Sequence, residues 1–204
     1  MDTKTAERPD AFAKIGKKAA AALADQLEER SRDYLRHCSE TIPASDRDTT
    51  WSRLYAATHR LRLAVLSLGA NNIAVADAVL EIGSNLMGCE EIAVVELDPD
   101  HKSITILTSV GITAEQRHAL NTHAAKFSAE VSRGQVCLVD KKNAADQFLA
   151  SLGITALVPL SPSQSVEGAI VFFNLLSHRH GFDSVDRELL GLLSIYVGPC
   201  LFGQ

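Results

Sequence analysis

The chain has 204 residues, of which 46% are hydrophobic and 22% charged. That is the composition of a soluble globular protein with material for a real core, and it excludes wholesale disorder and a small disulfide-stapled scaffold. A net charge of −5 excludes a generally basic nucleic-acid coat. Residues 1–68 are weakly basic, with 12 Lys and Arg against 10 Asp and Glu, and the remainder is acidic. The opening MDTKTAERPDAFAKIGKK has no apolar signal core, and no run of 18 apolar residues occurs. Neither secretion nor a membrane partner is supported, so the expected location is cytoplasmic.

Residues 9–38 read as one long helix, with Phe12, Ile15, Ala19, Ala22, Leu23, Leu27, Tyr34 and Leu35 recurring every three or four positions. Residues 41–48, with Pro43, are expected to form a turn. Residues 51–68 read as a second helix. Trp51, Leu54, Tyr55, Thr58, Leu61, Val65 and Leu68 follow a period near 3.5, a seam that calls for another helix. Gly69 to Asn72 punctuate the chain. A third helix is predicted over 73–87, with Gly88 as its terminator.

The period then changes. EIAVVELD (91–98) reads as a strand, residues 98–101 as a turn, and KSITILTSV (102–110) as the returning arm of a hairpin. Residues 113–131 are expected to be helical, opened by Thr113 as N-cap with Gln116 at the capping-box position. Short strands are predicted at 136–140, 154–160 and 166–175, with loop and helix over 141–152. Asp183 caps a final helix, 184–201. This order implies an α+β fold, an antiparallel sheet flanked by helices.

Residues 70–202 resemble a GAF domain. The resemblance is carried by NLMGCEEIAVVELD, TSVGIT, GQVCLVD, ITALVPLSPSQSVEGAIVFFNL and HRHGFDSVDRELLGLLSIYVGPCL, in that order and spacing. It implies an antiparallel sheet of five to six strands, with the first and last helices on one face. A small-molecule pocket is implied on the other face. The division expected is a helical extension over 1–68 and a GAF-like domain over 69–204. The implied pocket residues are Val94, Glu96, Thr105, Leu107, Cys137, Asp140, Phe148, Leu152, Leu157, Pro159, Ile170 and Phe172. The alternative is a pocket closed by its own side chains. The family also implies dimerisation through helices, and the expected interface residues are Leu54, Leu61, Val65, Leu68, Val79, Leu189, Leu193 and Val197.

No catalytic constellation is visible: G-x-S-x-G, P-loop, H-E-x-x-H and G-x-G-x-x-G are all missing. Cys38, Cys89, Cys137 and Cys200 form no C-x-x-C pair, so free thiols are expected and no metal site is assigned. His118 and His123 are five apart, off one helical face, which disfavours a shared metal or haem; either alone on the pocket-side helix remains a conceivable axial ligand. No Cys-His pair marks bilin attachment, and no cofactor is required. Lys142-Asn143 to Phe148 echoes the cyclic-nucleotide signature only with its first two residues reversed. Residues 1–68 match no kinase histidine motif and carry too few arginines, with no third helix, for a DNA-reading helix-turn-helix. The expectation is a non-catalytic, stand-alone regulatory protein, a GAF-type sensor whose partners are a second copy, a small molecule or a signalling protein. The alternatives are a scaffold with a collapsed pocket and, remotely, an enzyme like the free methionine sulfoxide reductases.

Overall fold

The computed structural model describes residues 17–41, 43–66, 73–100, 102–161 and 165–203. The expected helix start at 9–16, the turn at 69–72 and Leu68 lie outside them. Two long helices come first, α1 (Lys17–Thr41) and α2 (Ala44–Leu66). The turn expected over 41–48 shrinks to the surroundings of Pro43, whose carbonyl accepts from the Asp46 N–H at 3.0 Å. Proline is compatible with a helix start, where its missing N–H costs nothing, so α2 begins seven residues earlier than its apolar pattern suggests.

α3 (Ile73–Glu81) runs straight into a π-helical turn, Ile82–Leu86. Five antiparallel strands follow: β1 (Cys89–Leu97), β2 (Ile104–Val110), β3 (Cys137–Leu138), β4 (Ala156–Leu160) and β5 (Gly168–Leu175). Their order across the sheet is β2-β1-β5-β4-β3. Between β2 and β3 the chain forms α4 (Ala114–Thr122) and α5 (Ala124–Val131), and between β3 and β4 the short α6 (Gln147–Ser151). The single helix expected over 113–131 is therefore two, broken at His123. α7 (Ser184–Phe202) closes the fold. Both predicted caps are present: Thr113 with Gln116, and Asp183 with Asp186, each form reciprocal capping boxes.

Two cores sandwich the sheet. The helix-side core joins Ile92, Val94, Val158, Ile170 and Phe172 to α1, α2, α3 and α7. The outer core joins Ala93, Val95, Leu157, Val171 and Phe173 to α4, α5 and α6. Register explains the division. Val94 pairs with Ile170 and Val158 also pairs with Ile170, while Ala93 and Leu157 both pair with Val171. Neighbours in register share a face, and successive residues alternate.

The helical extension packs on the helix side. α1 buries Ala20, Ala24 and Leu27, and α2 buries Leu54, Ala57, Leu61, Ala64 and Val65. The α1 stripe is rotated from its expected position: Ala19 and Ala22 are exposed, and Ala20 and Ala24 face inward. Trp51 and Tyr55, expected in the α2 seam, point outward instead. Close approach of α7 to the sheet depends on Gly198, where a Cβ would stand 2.6 Å from the Ser161 backbone. Ser194 Oγ donates to the Pro159 carbonyl nearby, at 3.1 Å.

Candidate functional site

The outer face of the sheet is where the GAF resemblance puts a ligand. Here that face is covered by side chains. Phe127 and Leu120, from α5 and α4, and Phe173, from β5, are fully buried there. Phe148 closes the side toward α6. Its ring takes the Lys126 ammonium 4.1 Å from its centroid and the His123 ring edge-on at 6.0 Å. His123 stands at the break between α4 and α5. His118 and His123 are both exposed, and His118 Nε2 lies 3.3 Å from Thr122 Oγ1, so the two do not converge on one site.

The twelve expected pocket residues are not brought together. Phe148, Leu152, Leu157 and Cys137 do belong to the outer core. Pro159 is buried in β4, in register with Ala169 on that same face. Val94, Ile170 and Phe172 are fully buried in the helix-side core, and Leu107 packs against it. Glu96 and Thr105 are register partners across β1 and β2, half-buried and exposed. Asp140 is exposed, and its carboxylate accepts from the Lys142 N–H at 2.9 Å, closing its own loop. β1, β4 and β5 are apolar on both faces, so hydrophobicity alone could not say which face each residue takes, and an offset of one reverses all of them.

A cleft of about 320 Å³ opens at the β3 edge of the outer face, lined by Glu130, Arg133, Cys137, Asp146 and Leu157 among others. Asp146, not among the expected pocket residues, organises it. Its carboxylate accepts from the Asp140 N–H at 3.1 Å and the Asn143 amide at 3.3 Å, and faces Cys137 Sγ at 4.0 Å. Burial pushes the Cys137 thiol up, and Asp146 and Glu130 push the same way against Arg133. A thiol in that setting keeps its proton, the opposite of nucleophile activation.

On the other side of the sheet the expected dimer residues have a different role. Leu54, Leu61, Val65, Val79, Leu189, Leu193 and Val197 are all buried inside the one chain. They weld the extension to the domain, so they offer no free seam to a second copy.

A polar junction completes this weld. Arg53 of α2 donates from Nε to the Leu86 carbonyl of the π-helical turn at 2.9 Å, and to Asp183 at 2.8 Å. It also pairs with Asp186, whose side chain is fully buried and is held from the other side by Arg179. One arginine thus reads both carboxylates of the α7 capping box and an orphan carbonyl of the π-turn. Burial opposes ionisation of Asp183, but the Asp186 N–H and the Arg53 guanidinium outweigh it and hold the carboxyl below its ordinary range. Burial pushes Asp186 up, against the Asp183 N–H and both arginines. Sequence reasoning missed this junction because its members are about 130 positions apart.

No protein-family model and no curated protein matches the chain. Solved structures do. A biliverdin-bound protein in its far-red absorbing dark state superposes with a TM-score of 0.50 at 14% identity, over 72% of this chain and 96% of that one. The photoproduct state of GAF3 from a Synechocystis sp. PCC6803 protein gives 0.48 at 16%, over 65% and 94%. The GAF domain of an Acinetobacter phosphoenolpyruvate-protein phosphotransferase gives 0.47 at 13%, over 71% and 92%. The fold is GAF-like. Identities this low speak for fold alone, and fold does not fix function. Among the described residues, no helix is long and apolar enough to cross a membrane, and no cluster of three His, Cys, Asp or Glu could hold a metal.

Proposed function

We propose that this chain is a non-catalytic signalling module of GAF type whose responsive part is the helical extension. The carrying observation is the filled outer face: Phe127, Leu120 and Phe173 occupy the space where the resemblance implied a ligand. This favours the collapsed-pocket alternative over an interior small-molecule sensor. The protonated, unactivated Cys137 speaks against the reductase reading.

A second copy is the proposed partner, docked on the outward face of α2. Trp51 and Tyr55 are 45% and 67% exposed there, with Leu63 and Leu66 further along the same face. An antiparallel pair of α2 helices sets Trp51 of one copy near Leu66 of the other, the self-complementarity that a twofold needs. The test is sedimentation of the wild type and of the double variant Trp51→Glu, Tyr55→Glu, with native mass spectrometry alongside. A wild-type dimer that becomes a folded monomer supports the reading. A monomeric wild type would sink the dimer, and a copurified small molecule released only on unfolding would sink the filled-face argument.

A further inference from the structure

Between α1 and α2, away from the sheet, lies a notch of about 140 Å³ lined by side chains of both helices. We propose that it is a binding site for a small monocyclic or short-chain carboxylate. The volume is close to that of engineered cavities that hold benzene.

Its floor is polar and buried. Ser31 Oγ donates to the Leu27 carbonyl at 2.9 Å and stands 2.8 Å from Thr58 Oγ1. Its apolar walls are Leu35 and the ring of Tyr55, which stacks on His59 with an interplanar angle of 3° and centroids 5.9 Å apart. At the rim, Glu28 is shared by two arginines. Arg32 donates to one carboxylate oxygen, and Arg62 Nε lies 3.3 Å from the other. That second contact is an ion pair without a hydrogen bond: Arg62 Nε is buried and makes none.

Two guanidiniums against one carboxylate leave the rim one positive charge in excess. They also leave the buried Arg62 Nε–H, 3.3 Å from Glu28 Oε2, without a hydrogen bond, which costs free energy until a better-placed acceptor arrives. A planar carboxylate matches the guanidinium fork, and an apolar body of ring size fits against Leu35 and Tyr55. An amine would meet the two arginines, so the site discriminates by charge. The notch shares Tyr55 with the proposed dimer face, but it is tested by ligand titration of the folded chain, whose outcome is separate from the subunit count.

The test is calorimetric titration of the full chain with benzoate, with benzylamine and benzyl alcohol as isosteric controls. Saturable one-to-one benzoate binding is expected, with a much weaker response to both controls. Arg62→Gln should weaken benzoate by about tenfold, the worth of one charge-assisted contact. Glu28→Gln removes the internal competitor and should tighten binding severalfold, a gain that a misfolded variant could not produce. No saturable benzoate binding to the folded wild type overturns the proposal. So does equal binding of the controls, or benzoate affinity unchanged in both variants.

Discussion

Both sides of the sheet are covered by packed apolar side chains, yet they are covered differently. The outer face is sealed by short local pieces, α4, α5 and α6, inserted between β2 and β4. The helix side is sealed by segments from both ends of the sequence, α1 and α2 against α3 and α7, with a buried ionic junction at their meeting point. Damage to the outer side should therefore stay local. Damage to the helix side should dissolve the union of extension and domain.

The largest expected effect follows from that contrast. Leu61 is 2% exposed at the centre of the α2 contact. Leu61→Glu puts an unpaired carboxylate there, a change expected to cost more than about 4 kcal/mol. The sequence pattern alone would have predicted a folded monomer. Here we expect loss of cooperative unfolding, read by circular dichroism in urea; a folded protein of normal midpoint would mean that the extension does not pack as described. Asp186→Ala comes next. It removes the buried carboxylate that Arg53 and Arg179 share, leaving both with Asp183 and Arg53 also with the Leu86 carbonyl, and should cost about 3 kcal/mol, the low end for a broken buried pair. Hydrogen exchange should rise over α1 and α2 before it rises in β1 and β5. Uniform loss of protection would refute a separable junction.

Phe127→Ala probes the outer side. A large-to-small change at a fully buried phenylalanine costs about 3–5 kcal/mol. The contrast predicts that exchange protection falls in α4 to α6 while α1 and α2 keep theirs. The same variant opens a cavity where the GAF resemblance implied a ligand. If it acquires affinity for small apolar molecules that the wild type lacks, the filled-face reading gains its most direct support.

A titration probes the helix side through its two buried thiols. Burial, reinforced by Asp186 against Arg179, pushes the Cys89 thiol up to about 12, and burial pushes Cys200 to about 12. Both are in the helix-side core. A thiol whose folded pKa exceeds its unfolded value near 9.0 keeps its proton only while the chain is folded. Stability should thus fall as pH rises from 9 toward 12, by up to about 1.4 kcal/mol per unit for each thiol. Cys200→Ala should flatten that slope, measured as urea midpoint against pH. A wild-type slope that Cys200→Ala leaves intact would show that this thiol does not titrate as described.

What was legible in the sequence was local. Thr113 with Gln116 and Asp183 with its helix were readable because a cap is decided by residues three apart. The first hairpin and the succession of strands along the chain followed from period and punctuation. What could not be read was which face a strand residue takes when both faces are buried, which misplaced Val94, Ile170 and Phe172. Nor could the partner of a helix stripe be read: Leu61 and Val65 do seek another helix, but it belongs to the same chain. The sites that depend on distant pairs, Arg53 with Asp183 and Asp186, left no local mark at all.

The smallest effect tests that boundary between local and distant. By cap rules alone, Gln116→Glu should be neutral or mildly stabilising, because glutamate suits the third position of a capping box and the start of a helix. The fold says otherwise. Gln116 Nε2 donates to Glu91 Oε2 at 2.6 Å, and Asn174 Nδ2 donates to the same oxygen at 2.6 Å, tying the α4 cap to β1 and β5. A glutamate would lose that donor and set two carboxylates together at a half-buried position. We expect a loss of about 1 kcal/mol, seen as a lower urea midpoint, and recovery of most of it when Glu91→Gln is added. If Gln116→Glu stabilises the chain, local capping outweighs the tie to the sheet. α4 would then be free to move relative to β1, and the outer face would be less firmly closed than Phe127 and Phe148 make it here.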